Sequence, residues 1–275
     1  MRGGKALLGL VTLVAFGGIA GAQAPRAALP AALAPPSAAA PGWSLSLALV
    51  PGWSSNPEEA PGRRKGDAFL GLEAGLSRSW QLRAGTSLTL TGAAMSELYR
   101  ETPRAGFNRA LAGISLGQAL WGGTLTLGAG ARTTLNQRLT AHDSASQNLS
   151  LGFSRSFGLG SGLTLIPSLG LSRRFYQNGS KNDWGARASL ALVHRRGPLS
   201  LRIGGGIGWL LEDNTPILPR IRDRSFTLSA GLAYEWAPGR ELSLRTSFTR
   251  GFSSYAPNRY RALTLAPQAA ATLRF

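Results

Sequence analysis

The side chains best suited to chemistry in this chain are few and poorly placed for it. His142 is followed by Asp143 and Ser144, the three residue types of a hydrolytic triad. Such a triad is set by geometry rather than adjacency, and neighbours in a loop point in divergent directions. His194 stands beside Arg195 at a strand end. There is no cysteine and no cluster of histidines with carboxylates, so nothing has the ligand pattern of a transition-metal site. Gly204-Gly205-Gly206 lies inside an extended run, not before a helix, and lacks the setting of a phosphate-binding loop. The expectation is a non-enzymatic protein without a cofactor. A hydrolase using His142 ranks last, and His142→Ala would abolish its turnover.

Charge is more informative. Thirty Lys and Arg against 13 Asp and Glu give a formal charge of +17. The arginines form no dense stripe interleaved with stacking aromatics, as a nucleic-acid surface would. They are spread over loops, strand ends and single positions within apolar alternation. Phosphorylated headgroups, acidic glycans and small anions suit this charge better than nucleic acid.

Those single positions take meaning from the elements that carry them. From Trp43 to Phe275 the chain is a series of short stretches in which every second residue is apolar, the period of a strand with two unlike faces. In the first, Trp43, Leu45, Leu47 and Leu49 alternate with Ser44, Ser46 and Ala48; in the second, Leu70, Leu72, Ala74 and Leu76 alternate with Glu73, Gly75 and Ser77. Twelve such stretches are countable; that near residues 108–119 is the faintest, so ten or fourteen remain open. Many of the 36 glycines sit inside strands, where they relieve crowding on a curved sheet or leave room within it.

The connections alternate in length. Those near residues 79–83, 120–123, 158–162, 195–198 and 237–240 are tight. Those near 52–67, 100–106, 137–146, 177–183, 212–223 and 253–258 are longer and hold most of the Asn and acidic residues. A soluble sandwich has no reason to sort connections by parity, whereas a transmembrane barrel has short periplasmic turns and longer outer loops. Trp43, Trp80, Trp121 and Trp236 fall at the short-turn ends and Trp184 and Trp209 at the long-loop ends, as two interfacial girdles would require. Trp53 falls in the first long loop. The predicted fold class is all-β, an antiparallel up-and-down transmembrane β-barrel of about twelve strands with both termini on the periplasmic side.

The last eight residues, Gln268-Ala269-Ala270-Ala271-Thr272-Leu273-Arg274-Phe275, resemble the C-terminal assembly signal of bacterial outer-membrane proteins. The matching positions are Gln268, Ala270, Leu273 and the terminal Phe275; Ala270 stands where that family usually has glycine. The resemblance implies residence in the bacterial outer membrane and insertion by the outer-membrane assembly machinery.

Residues 1–22 read as a signal peptide: Arg2 and Lys5 are positive, residues 6–20 are apolar, and Ala20-Gly21-Ala22 is an A-x-A site. Removing Arg2 and Lys5 leaves +15. Residues 23–42 are an Ala/Pro tract whose prolines oppose both helix and sheet, and read as a periplasmic tether rather than a plug. With leucine parity facing lipid, the lumen of the 43–275 barrel receives Arg109, Arg132, Arg174, Arg187, Arg202, Arg245 and Arg274 against Glu73, Glu97 and Glu235, an excess of +4. Arg155, Arg173 and Arg250 fall on the lipid side near strand ends, where a long side chain reaches the headgroups. Twelve tilted strands enclose a backbone radius of roughly 12 Å, which small inward side chains leave open to water. The expected function is a porin-like channel for small, preferentially anionic solutes. The alternative is a structural or adhesive barrel whose loops bind envelope glycans or lipids, its inward charges closed into a network.

Overall fold

Alternation becomes structure through pairing. The computed structural model describes residues 42–58, 66–140, 142–177, 182–213, 221–255 and 259–275, with the backbone alone at His142 and Asp143. The expected signal peptide and nearly all of the tether lie outside these residues. The strands are β1 (Trp43–Ser54), β2 (Asp67–Arg83), β3 (Thr86–Tyr99), β4 (Phe107–Leu120), β5 (Gly123–Asn136), β6 (His142–Arg155), β7 (Phe157–Gly160), β8 (Leu163–Tyr176), β9 (Asp183–Arg196), β10 (Leu199–Glu212), β11 (Arg222–Ala237), β12 (Arg240–Ser253) and β13 (Tyr260–Arg274). The short β7 carries β6 onward past Ser156 along the same neighbour, β8, so thirteen segments make twelve staves. Every pairing is antiparallel between neighbours in sequence, except that β13 returns to pair with β1 and closes the ring. Closure leaves no unpaired edge, the condition for a sheet to span hydrocarbon.

The two faces separate as the alternation requires. Leucines such as Leu47, Leu169 and Leu232 point outward and are 49%, 63% and 50% exposed. On the opposite parity Ser247, Gln268 and Thr134 are buried inside the ring. The faint fourth strand is fully paired on both sides, but Leu111 faces inward, opposite Ala93 and Arg132, and this breaks the leucine parity that made the other strands legible.

Several boundaries differ from the sequence reading. The turn expected at 79–83 lies further on, at Ala84-Gly85, because pairing continues through Gln81↔Ser87 and a bulge at Arg83. Gln81 Nε2 donates to the carbonyls of Arg83 and Thr86 and holds that bulge. Gly85 has φ +76°, the left-handed conformation the tight turn needs. At two other short turns both central residues have positive φ, Trp121-Gly122 and Ser161-Gly162, the I′ pattern whose twist suits a two-residue hairpin. β1 also runs on to Ser54. Trp53 is therefore not a loop residue but an outward one, paired with Leu265 and 41% exposed, and it joins the girdle at the long-loop end.

Candidate functional site

The inward face is built from unlike arcs. Across β9, β10 and β11 it is a wall of small residues: Ser189 and Ala191, then Gly204, Gly206 and Gly208, then Ser225, Thr227 and Ser229. Gly206 is packed closely, since an added Cβ would lie 3.2 Å from the Ala188 carbonyl and from Ser189 Cβ. On the opposite side a cavity of about 950 Å³ touches β1–β5 and β11–β13, with Ala48, Glu73, Met95, Arg109, Glu241 and Ala270 facing it. A space bounded by eight of twelve staves lies inside the ring, because no convex exterior can be spanned that way.

Toward the long-loop end the lumen narrows. One cluster rises from β2, β3 and β4: Phe69 and Tyr99 have ring centroids 5.4 Å apart, and the Tyr99 hydroxyl donates to Glu97 Oε1 over 2.5 Å. Arg109 lies over the Phe107 ring at 4.3 Å and its Nε donates to Thr134 Oγ1 over 3.4 Å. A small cavity of about 60 Å³ lies beside this cluster, between Glu97 and Tyr99 on one side and Arg245 and Gln268 on the other. A second cluster fills the next arc, from β5 to β9. Arg174 Nη1 donates to the Tyr176 hydroxyl at 2.7 Å and to Asp183 Oδ2 at 3.4 Å, with both charged side chains almost wholly buried. Arg132 from β5 completes it by a side-chain hydrogen bond to Tyr176.

The pairing register puts all ten of the charged residues expected in the lumen on the inward parity. It brings Arg132 to Arg174, sets Arg245 near Glu73 and Glu241, and leaves Arg274 and Glu235 at the short-turn mouth. It also adds residues the sequence reading missed: Arg195 on the positive side, and Asp67, Asp183, Glu212, Asp223 and Glu241 on the negative. Among the described side chains, eight inward arginines therefore meet eight inward carboxylates, and the expected +4 excess is gone. Four of the added acids sit within one residue of the long-loop ends of their strands, in segments that read as loops. Only five inward charges lie three or more residues from both ends of their strands: Glu73 against Arg132, Arg187, Arg202 and Arg245.

The remaining expected positions lie elsewhere. Gln268 and Ala270 face inward, whereas Leu273 and Phe275 are exposed at the short-turn end. Phe275 exchanges two backbone bonds with Trp43, at 2.7 and 3.0 Å, and so completes the seam. His194 is exposed at that end on the outward parity, and the side chain of His142 lies outside the described residues. Among the described residues no three of His, Cys, Asp and Glu group as metal ligands would.

This geometry has known counterparts. An outer membrane channel from Pseudomonas putida F1 superposes with a TM-score of 0.53 at 13% identity, over 86% of this chain and 97% of that one. LpxR from Salmonella typhimurium gives 0.48 at 10% identity, over 82% and 99%. The β domain of the Bordetella autotransporter BrkA gives 0.45 at 16% identity, over 83% and 99%. The fold is that of a bacterial outer-membrane barrel. At these identities the likeness carries the fold alone, and the three neighbours do not share a description. No protein-family model matches the chain, and no curated protein matches it.

Proposed function

We propose that this protein is a passive channel for small solutes, with a preference for anions. The observation that carries the reading is the middle of the lumen, where a wall of glycine and serine faces an open cavity and four arginines outnumber Glu73. Fixed positive charge around a narrow aqueous path raises the local concentration of anions over cations. The inward charges of the long-loop rim are mainly acidic, and at the short-turn rim Arg195 and Arg274 are matched by Glu235 and Glu241, so the preference is set inside and not at the mouths. The Glu97–Tyr99 and Arg132–Arg174–Asp183 clusters narrow the outer half and bias passage toward small solutes.

Purified protein in a planar bilayer, held across about a tenfold KCl gradient, tests this. The expected reversal potential lies on the anion side. Converting Arg187, Arg202 and Arg245 together to glutamate moves it to the cation side, and Glu73→Gln moves it further toward anions. A cation-selective or non-conducting wild type overturns the proposal.

A structural barrel is favoured by one specific observation, the balance of eight inward arginines and eight carboxylates with a buried ion pair among them. That reading requires substitution of Arg132, Arg187 or Arg202 to lower stability and leave conductance unchanged. Insertion by the outer-membrane assembly machinery through Phe275 belongs to either reading.

A further inference from the structure

Three exposed arginines meet on the outer surface at the long-loop end of β11, β12 and β13. Arg250 is the direct cross-strand partner of Arg261, so two like charges stand opposite each other with Cβ atoms about 4.5–5.5 Å apart. Arg250 is also the partner of Phe226, which puts Arg224, two residues along, on the diagonal at about 7–8 Å. All three share the outward parity with Phe252 and Leu263, both 44% exposed. Directly opposed like charges destabilise a sheet, and no carboxylate among the described residues pairs with any of the three. Arg173, at the same end of β8, shows the contrast: it also points outward, but Asp213 neutralises it with two hydrogen bonds.

The surroundings define what could neutralise the cluster. Below it lies the apolar belt of Phe226, Leu228, Phe248 and Leu265. Long loops mark this as the outer rim of the barrel. A ligand seated there must hold acyl chains against the belt and anionic oxygens at the rim. Guanidinium groups bind phosphate by paired, charge-assisted hydrogen bonds.

We propose that Arg224, Arg250 and Arg261 form a docking site for a phosphorylated glycolipid of the outer leaflet, with one phosphate held between Arg250 and Arg261. The site is independent of whether the barrel conducts.

Native mass spectrometry of the detergent-purified protein tests it, with a glucosamine disaccharide lipid carrying two phosphates as the probe. The wild type is expected to retain one such lipid at about tenfold lower concentration than either the dephosphorylated form or phosphatidylglycerol. Combined Arg224→Gln, Arg250→Gln and Arg261→Gln abolishes the advantage, whereas the triple lysine variant, which keeps the charge but not the paired hydrogen bonds, retains part of it. Arg155→Gln with Arg240→Gln, at the opposite rim, changes nothing. Heat-modifiable gel mobility verifies that each variant is a folded barrel, and unaltered conductance separates the site from the lumen. Equal retention by the triple glutamine variant or of the dephosphorylated lipid overturns the proposal. Equal retention of phosphatidylglycerol, or displacement by millimolar inorganic phosphate, also overturns it by showing a general phosphate patch.

Discussion

Arg173 and Arg174 are consecutive residues of β8 that face opposite ways. Arg174 points into the lumen, where its contact with Asp183 is almost wholly shielded from water. Arg173 points outward, stacks near Phe175 and Trp184, and pairs with Asp213, whose side chain is 35% exposed. The residue type is the same and the partner is a carboxylate in both cases. What differs is how much solvent remains to screen the charge, and this sets the cost of losing the partner. The inner pair is a structural tie, whereas the outer one is a rim contact in reach of headgroups.

The largest expected effect tests that difference. Arg174→Ala takes its hydrogen-bonded arginine from buried Asp183, leaving Arg132 and Arg173 at longer range, and is expected to cost about 3–5 kcal/mol, the penalty for breaking a buried pair. Arg173→Ala is expected to cost no more than about 1 kcal/mol. Urea unfolding in lipid vesicles, followed by tryptophan fluorescence, measures both; equal losses would dissolve the distinction.

The second comparison stays on β8 and needs no ion pair. Leu169 is 63% exposed on the outer face, while Gly170 faces inward with its nearest Cβ contact an ordinary 3.8 Å. Leu169→Arg puts a charge into the hydrocarbon and is expected to cost about 2–4 kcal/mol. Gly170→Arg is expected to leave stability within about 1 kcal/mol of wild type while reducing single-channel conductance. A conductance unchanged in Gly170→Arg would show that this arc does not line the path.

The smallest effect has the opposite sign. In detergent without glycolipid, Arg261→Gln removes the repulsion with Arg250 and is expected to stabilise the barrel by about 0.2–1 kcal/mol. Arg173→Gln is expected to destabilise it slightly. A loss of stability in Arg261→Gln would mean that the outer cluster is already neutralised by the protein.

The fold was legible because lipid enforces a strict period of two on residues such as Leu45, Leu47 and Leu49, and because loop length alternates with side. The inward arginines could be assigned by the same parity. The strand ends could not. Asp67, Asp183 and Asp223 continue the pairing beyond the apolar belt, where water returns and the alternation no longer distinguishes strand from loop. Nor could sequence bring Arg132, Arg174 and Asp183 together, since they come from three strands that only the register aligns. Leu111 made the fourth strand faint for the converse reason: it faces inward, where a barrel this wide has room for an apolar side chain.

The seam between β1 and β13 has a consequence for how the wall forms. Every other neighbour is a local hairpin, but Ser44 pairs with Arg274 across nearly the whole length of the wall. Loop-closure entropy grows only about 0.6 kcal/mol per doubling of length, so sealing the ring costs ~2–3 kcal/mol more than closing one hairpin. The thermodynamic burden is small; the kinetic one is not. Eleven seams can zip in any order from their turns, while the twelfth waits until both ends of the sheet have been brought together. Until then β1 and β13 each carry an open row of donors and acceptors, two adhesive borders through which a second copy could pair in place of the first. A circular permutant with its old termini joined and a cut at Gly197-Pro198 would turn that slow seam into a hairpin and move the exposed borders to β9 and β10.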